Sequence, residues 1–150
     1  MQTNAQRQSS DYCADLEVLP PRILLAEDDS EMRALVSGDL RRAGYGVVEC
    51  ADGAALLRRL ESACCGQGLG IDLVVADVRM PELTGLEVLE RLRGADPFMP
   101  YIVVTAFGSP ETRSAATRLG AMAVLDKPFE IKDLLHLVEE AVGGTPRRPH

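Results

Sequence analysis

Short apolar runs punctuate the chain, and each stops abruptly at a polar residue. Ile23-Leu24-Leu25-Ala26 ends at Glu27-Asp28-Asp29, Leu73-Val74-Val75-Ala76 at Asp77, Tyr101-Ile102-Val103-Val104 at Thr105-Ala106, and Ala121 to Leu125 at Asp126-Lys127. Runs this short and without alternation suit strands buried on both faces of a parallel sheet. Tyr45 to Cys50 reads as one further short strand. Between the runs, apolar residues recur at helical spacing: Met32, Leu35, Val36 and Leu40; Leu56, Leu57 and Leu60; Leu86, Leu89 and Leu92; Ala115, Ala116 and Leu119; and Ile131, Leu134, Leu135, Val138 and Val142. Asp29 or Ser30 can cap the first of these helices and Asp52 the second; the third runs from about Thr84 to Arg93, and Pro110-Glu111 opens the fourth. Gly44 and Gly143-Gly144 mark helix ends, while Pro81, Asp96-Pro97 and Pro100 break the chain.

Five strands alternating with five helices predict a three-layer α/β domain with right-handed crossovers. Alternation alone leaves the strand order open. The domain is expected over residues 21–142. A polar tail over residues 1–20, ending at Pro20-Pro21, is expected to be disordered or loosely docked, and a second tail covers residues 143–150. The fourth helix carries only a thin apolar stripe and should be weakly anchored. His136 falls among leucines at helical spacing, where a lone histidine is more often structural than a ligand.

At 150 residues and 46% hydrophobic composition there is room for one core and not two. The net charge is −7; residues 1–20 contribute −2 and residues 143–150 contribute +2, so the whole excess lies on the body. Such a surface repels a phosphate backbone, and Arg41-Arg42 and Arg58-Arg59 are patches too small to reverse it, so this chain is not expected to bind nucleic acid. Cys13, Cys50, Cys64 and Cys65 form no CxxC and have no histidine nearby, which argues against a zinc or thioredoxin-like site; Cys64-Cys65 reads as a small-residue helix end before the glycine-rich loop 66–70. No basic start precedes an apolar run, and no stretch approaches about 18 apolar residues, so a cytoplasmic, membrane-free protein is expected.

If the strands ending in Glu27-Asp28, Asp77, Thr105 and Lys127 lie parallel, their C-terminal edges gather acids, a hydroxyl and an ammonium in the crevice where open α/β sheets bind ligands. Carboxylates held together repel by about 1–4 kcal/mol per close pair, depending on the effective dielectric, and need a compensating cation. Lys127 supplies one charge. An all-oxygen cluster points to magnesium for the rest. A carboxylate beside such an ion, with a hydroxyl and a lysine near, is equipped to accept a phosphoryl group.

The chain from about Arg22 to Val142 resembles response regulator receiver domains: LLAEDDSEMR, VVADVRMPELTGLEVLERLR, VVTAFG and LDKPFE follow that family's order and approximate spacing. The resemblance implies a flavodoxin-like doubly wound sheet ordered 2-1-3-4-5, with Asp77 as the phosphoacceptor. Magnesium would be held by Asp28 and Asp77, by the backbone carbonyl of Arg79, and by Glu27 through water. Thr105, Ala106 and Lys127 would contact the phosphoryl oxygens, and the Lys127-Pro128 bond would be cis. Implied partners are a histidine kinase or histidine phosphotransfer protein as donor. Downstream, the resemblance implies a protein partner or a second copy, through the fourth helix, fifth strand and fifth helix.

Three positions depart from the family pattern. The aromatic switch residue three before the lysine is Val124, so Thr105 and Val124 form an altered switch pair. Arg79 and Phe107, two after the phosphoacceptor and two after the threonine, are bulky and expected to obstruct an attacking water. An aspartyl-phosphate phosphatase needs a second acid where Arg79 stands, and a flavin carrier needs a phosphate-welcoming first loop where Glu27-Asp28-Asp29 stands. A degenerate receiver acting as a phosphorylation-independent scaffold is the remaining alternative, disfavoured because every site position is chemically competent.

Overall fold

The computed structural model describes residues 19–66 and 70–143. Five strands, β1 (Arg22–Ala26), β2 (Gly46–Cys50), β3 (Leu73–Asp77), β4 (Tyr101–Thr105) and β5 (Ala123–Asp126), pair in parallel in the order 2-1-3-4-5. This is the doubly wound order implied by the resemblance. Helices α1 (Ser30–Arg42), α2 (Gly53–Cys64), α3 (Gly85–Ala95), α4 (Pro110–Arg118) and α5 (Ile131–Val142) fill the crossovers.

Alternation within the strands builds two cores. Ile23, Leu25, Leu73, Val75, Ile102 and Val104 face Val36 and Leu40 of α1 and Leu134 and Val138 of α5. Leu24, Ala26, Val74, Ala76, Tyr101 and Val103 face the other way, onto Leu56 and Leu60 of α2, Val88, Leu89 and Leu92 of α3, and Ala116 of α4. The apolar runs of β1, β3 and β4 are thus strands with no solvent face, as the sequence pattern requires, whereas β5 at the sheet edge is only half-buried and ends exposed at Asp126.

Local chemistry fixes the helix starts. The Asp29 carboxylate, rather than Ser30, caps α1 by accepting from the Glu31 and Met32 amides at 3.0 Å. Asp52 caps α2, and Thr84 with Glu87 forms a reciprocal capping box at α3. In α4 only Ala116 is buried, in keeping with the thin stripe expected there.

Several expectations shift. β2 begins at Gly46 rather than Tyr45. β5 spans Ala123–Asp126 rather than residues 121–125: the Ala121 amide turns back to the Ala116 carbonyl, and the chain joins β4 only from the Met122 amide, which donates to the Tyr101 carbonyl. Leu35 is 60% exposed; its place on the buried side of α1 is taken by Ser37, whose hydroxyl donates to Glu49 at 2.9 Å. His136 is not among core residues. It faces solvent, 3.5 Å from Glu140 one turn on, since Leu134 and Val138 already supply the buried stripe. The tail expected over residues 1–20, with Cys13, lies outside the described residues up to residue 18, as do residues 144–150 and 67–69. Cys64 and Cys65 are exposed free thiols at the end of α2.

Candidate functional site at the strand ends

Each strand of the central trio ends at the same edge, so the sheet itself assembles the site. Ala26 pairs with Ala76 and Asp77 with Val104, which places Glu27, Asp77 and Thr105 side by side where the strands stop. All three are buried, at 5%, 5% and 2% exposure, while Asp28 is exposed. β5 delivers the cation: the Lys127 amide donates to the Thr105 carbonyl at 2.8 Å, and its ammonium donates to Asp77 Oδ2 at 2.5 Å and Glu27 Oε1 at 2.7 Å.

The remaining oxygens are also held. Asp77 Oδ1 accepts from the Arg79 amide at 3.1 Å, and Glu27 Oε2 from the Asp29 amide at 3.2 Å. The Arg33 guanidinium donates to the Glu27 carbonyl at 2.8 Å, fixing the backbone from one turn into α1. Thr105 Oγ1 accepts from the Phe107 amide at 3.1 Å, an interaction that shapes the turn after β4. Exposed Ala106 lies between them. The Lys127-Pro128 bond is cis.

Burial dominates the electrostatics of the pair at the centre. Desolvation pushes the Glu27 carboxyl up to about 7 against the opposing pull of Lys127 and the Asp29 amide, with the Asp77 charge adding to the rise. For Lys127, burial works against the charged form, but the hydrogen bonds to Asp77 and Glu27 outweigh it and hold the ammonium above its usual range. With Glu27 ionised, one ammonium faces two buried carboxylates and leaves negative charge uncompensated. Glu27, Asp28 and Asp77 also each present a carboxylate oxygen, all within 4.8 Å of one another. That set of hard oxygen donors fits a magnesium ion and does not fit a thiophilic or imidazole-seeking one.

The loop after Asp77 is packed from below. The Gly85 amide donates to the Val78 carbonyl at 3.0 Å, the buried Tyr101 hydroxyl donates to the Gly85 carbonyl at 2.7 Å, and a Cβ on Gly85 would collide with the Asp77 carbonyl. Above it, the Arg79 guanidinium stacks on the Phe107 ring, 4.4 Å from its centroid. Val124 is half-buried against the core on the side of α4.

The sequence pattern therefore located Glu27, Asp28, Asp77, Thr105 and Lys127 at one edge, and the structure brings them together, with Ala106, which the resemblance alone had added, exposed just beyond Thr105. It gave no sign of Arg33, Tyr101 or the Arg79–Phe107 stack. Arg33 sits at an ordinary helix position, and Tyr101 reads as one more strand residue; only the three-dimensional crossing reveals their partners.

Comparison with known proteins agrees with this geometry. Residues 23–139 match the model of the response regulator receiver domain. The chain is 35% identical over 127 residues to the DNA-binding transcriptional regulator NtrC of Rhizobium meliloti (strain 1021), covering 85% of this chain and 25% of that protein. It is 33% identical over 119 residues to the response regulator receiver protein CpdR of Brucella abortus (strain 2308), covering 79% of this chain and 94% of that one. Among solved structures, the response regulator TrrA from Thermotoga maritima, in complex with Mg(2+)-BeF, superposes with a TM-score of 0.70 at 27% identity, over 81% of this chain and 99% of that one. This chain belongs to the response regulator receiver family of two-component systems. It spans only a quarter of the length of the NtrC relative.

Proposed function

We propose that residues 21–142 form a receiver that accepts a phosphoryl group on Asp77 from a histidine kinase or histidine phosphotransfer protein. The observation that carries this reading is the Lys127 ammonium bridging Asp77 and Glu27, with Asp28 within reach, at one strand edge. An Asp77 carboxylate oxygen attacks phosphorus and forms the new P–O bond as the bond to the donor breaks, the electron pair leaving with the donor. Bound magnesium, held by Asp28, Asp77, the Arg79 carbonyl and Glu27 through water, would supply charge neutralisation. Lys127, Thr105 and the Ala106 amide would orient and stabilise the phosphoryl oxygens, so that catalysis is positioning plus electrostatics. The same residues would support slow hydrolysis of the aspartyl phosphate, a self-modification and not the turnover of a separate substrate.

Phosphorylation would bias a pre-existing equilibrium of the β4–α4 loop and α4, read by a downstream protein or a second copy along α4, β5 and α5. With Val124 in place of a ring, that shift is carried by the backbone of residues 106–112. Thr105 and Val124 remain the switch positions, without an aromatic rotamer change. A location in the cytoplasm belongs to this reading; among the described residues no helix is long and apolar enough to cross a membrane.

Intact mass after incubation with acetyl phosphate and magnesium tests the proposal. One added phosphate, absent in Asp77→Asn, is expected. No added mass in the wild type would return the chain to the scaffold alternative.

A further inference from the structure

The loop that follows Thr105 at the end of β4 passes an ion pair. Arg113 of α4 donates from its guanidinium to Asp126 Oδ2, at the last residue of β5. Gly108 lies against both: a Cβ there would run into Asp126 Oδ1 and stand 3.2 Å from Arg113 Nη2. Asp126 is also the register partner of Thr105 across β4 and β5. The pair therefore closes against the loop at Gly108, with no room for a side chain there.

The other restraints on this loop are local: the Phe107 amide donates to Thr105 Oγ1 at 3.1 Å, the Ser109 amide to the Phe107 carbonyl at 2.9 Å, and the Phe107 ring stacks under Arg79. The Ser109 hydroxyl caps α4 by accepting from the Thr112 amide at 3.1 Å, and the helix buries only Ala116. Phe107 is 63% exposed, and Val124 offers no ring to wedge beneath the loop. Movement of residues 106–109 towards Asp77 would draw Gly108 away from Asp126.

We propose that Arg113 and Asp126 are positioning residues that latch the β4–α4 loop, and with it Thr105, in the unphosphorylated arrangement, and that release of this pair is the conformational step coupled to phosphorylation. The proposal rests on the receiver reading above and deepens it. Both side chains are about half exposed, at 46% and 51%, so the pair is salt-screened and tilts the latched and released populations by no more than about fivefold. A bias of that size holds the loop in the absence of phosphate and yields to a new charge on Asp77.

The test uses the full chain with Asp126→Asn, Arg113→Gln, the double variant and Arg113→Lys. Amide exchange in residues 106–113 is followed without phosphodonor at low and high salt, then after acetyl phosphate and magnesium. Each disabling single variant is expected to speed exchange about three- to fivefold in the unphosphorylated chain, and the double variant no further. Arg113→Lys should stay near wild type. High salt should bring the wild type up to the variants and leave them unmoved, with exchange in β1 and β3 constant throughout. The added exchange on phosphorylation should shrink in the variants. Unchanged exchange in the single variants, or additive effects in the double variant, overturns the latch even when Asp77 takes phosphate normally. If instead wild-type Asp77 takes no phosphate, the receiver reading fails and the coupling falls with it, while exchange in the unphosphorylated variants still decides whether the pair holds the loop.

Discussion

At the scale of single residues, the site is a problem of charge: one ammonium stands between two buried carboxylates, with a third acid at the rim. Removing the rim acid relieves repulsion but takes away a ligand. Asp28→Ala should therefore weaken magnesium binding and slow phosphorylation at limiting magnesium, while the thermal midpoint without magnesium stays level or rises; equal rates at limiting magnesium would show the ligand assignment to be wrong. Lys127 has a second task besides charge, because its amide ties β5 to the Thr105 carbonyl while its side chain reaches Asp77. Lys127→Ala should still take some phosphate, yet the phosphate-induced change in amide exchange over residues 106–126 should be lost. A shift as large as in the wild type would remove Lys127 from the coupling. The Arg79–Phe107 stack ties the loop after Asp77 to the loop after Thr105, and the shielding expectation is that it hinders a water attacking a phosphoryl group on Asp77. Loss of the added mass after removal of the phosphodonor should accordingly be faster in Arg79→Ala and Phe107→Ala than in the wild type, and matching decay rates in all three proteins would rule the shield out.

Among the elements, α3 shows how local chemistry serves the site. Its capping box fixes the first turn, and Gly85 lets that turn press against the Asp77 carbonyl. Thr84→Ala should cost about 1 kcal/mol in denaturant unfolding, the usual loss for a capping hydroxyl. Gly85→Ala should cost about 1–3 kcal/mol through overpacking, and it should also slow phosphoryl uptake, because the loop bearing Arg79 must shift. Thr84 was legible as the approximate start of a helix, yet nothing in the one-dimensional pattern announced the Gly85 contact. The same division runs through the molecule. Uninterrupted apolar runs revealed the strands and their polar ends, since burial on both faces leaves no alternation to misread. Helical spacing was less reliable at the edges of a stripe: Leu35 and His136 both occupy positions compatible with burial, and both face solvent because Val36, Leu40, Leu134 and Val138 already fill the available interface. The strand order and the cis bond were carried by family resemblance rather than by any pattern of residues.

Taken whole, the molecule is two cores separated by one sheet. Leu56 and Leu134 are fully buried on opposite faces, so Leu56→Ala and Leu134→Ala should each cost about 2–5 kcal/mol and should add, within error, in the double variant. Global stability should also report the site. The Glu27 carboxyl rises from 4.5 to about 7 on folding, so the folded chain holds this proton more tightly than the unfolded one. Its contribution is complete below about pH 4.5 and lost as pH climbs through about 7. In magnesium-free buffer the thermal midpoint should fall across that window and the slope should flatten in Glu27→Gln; an identical slope in the variant would assign the effect to another group. A different optical consequence follows from Tyr101. The chain has no tryptophan, and this tyrosine is wholly enclosed with its hydroxyl on the Gly85 carbonyl. Burial drives its phenol far above the ordinary range, even with Arg93 favouring the ionised form. In strong alkali its ring should keep the near-ultraviolet absorption of the neutral phenol until the sheet opens. The tyrosinate absorbance of Tyr101 should then appear together with the loss of the helical circular-dichroism signal, making one native side chain an intrinsic recorder of when the domain comes apart.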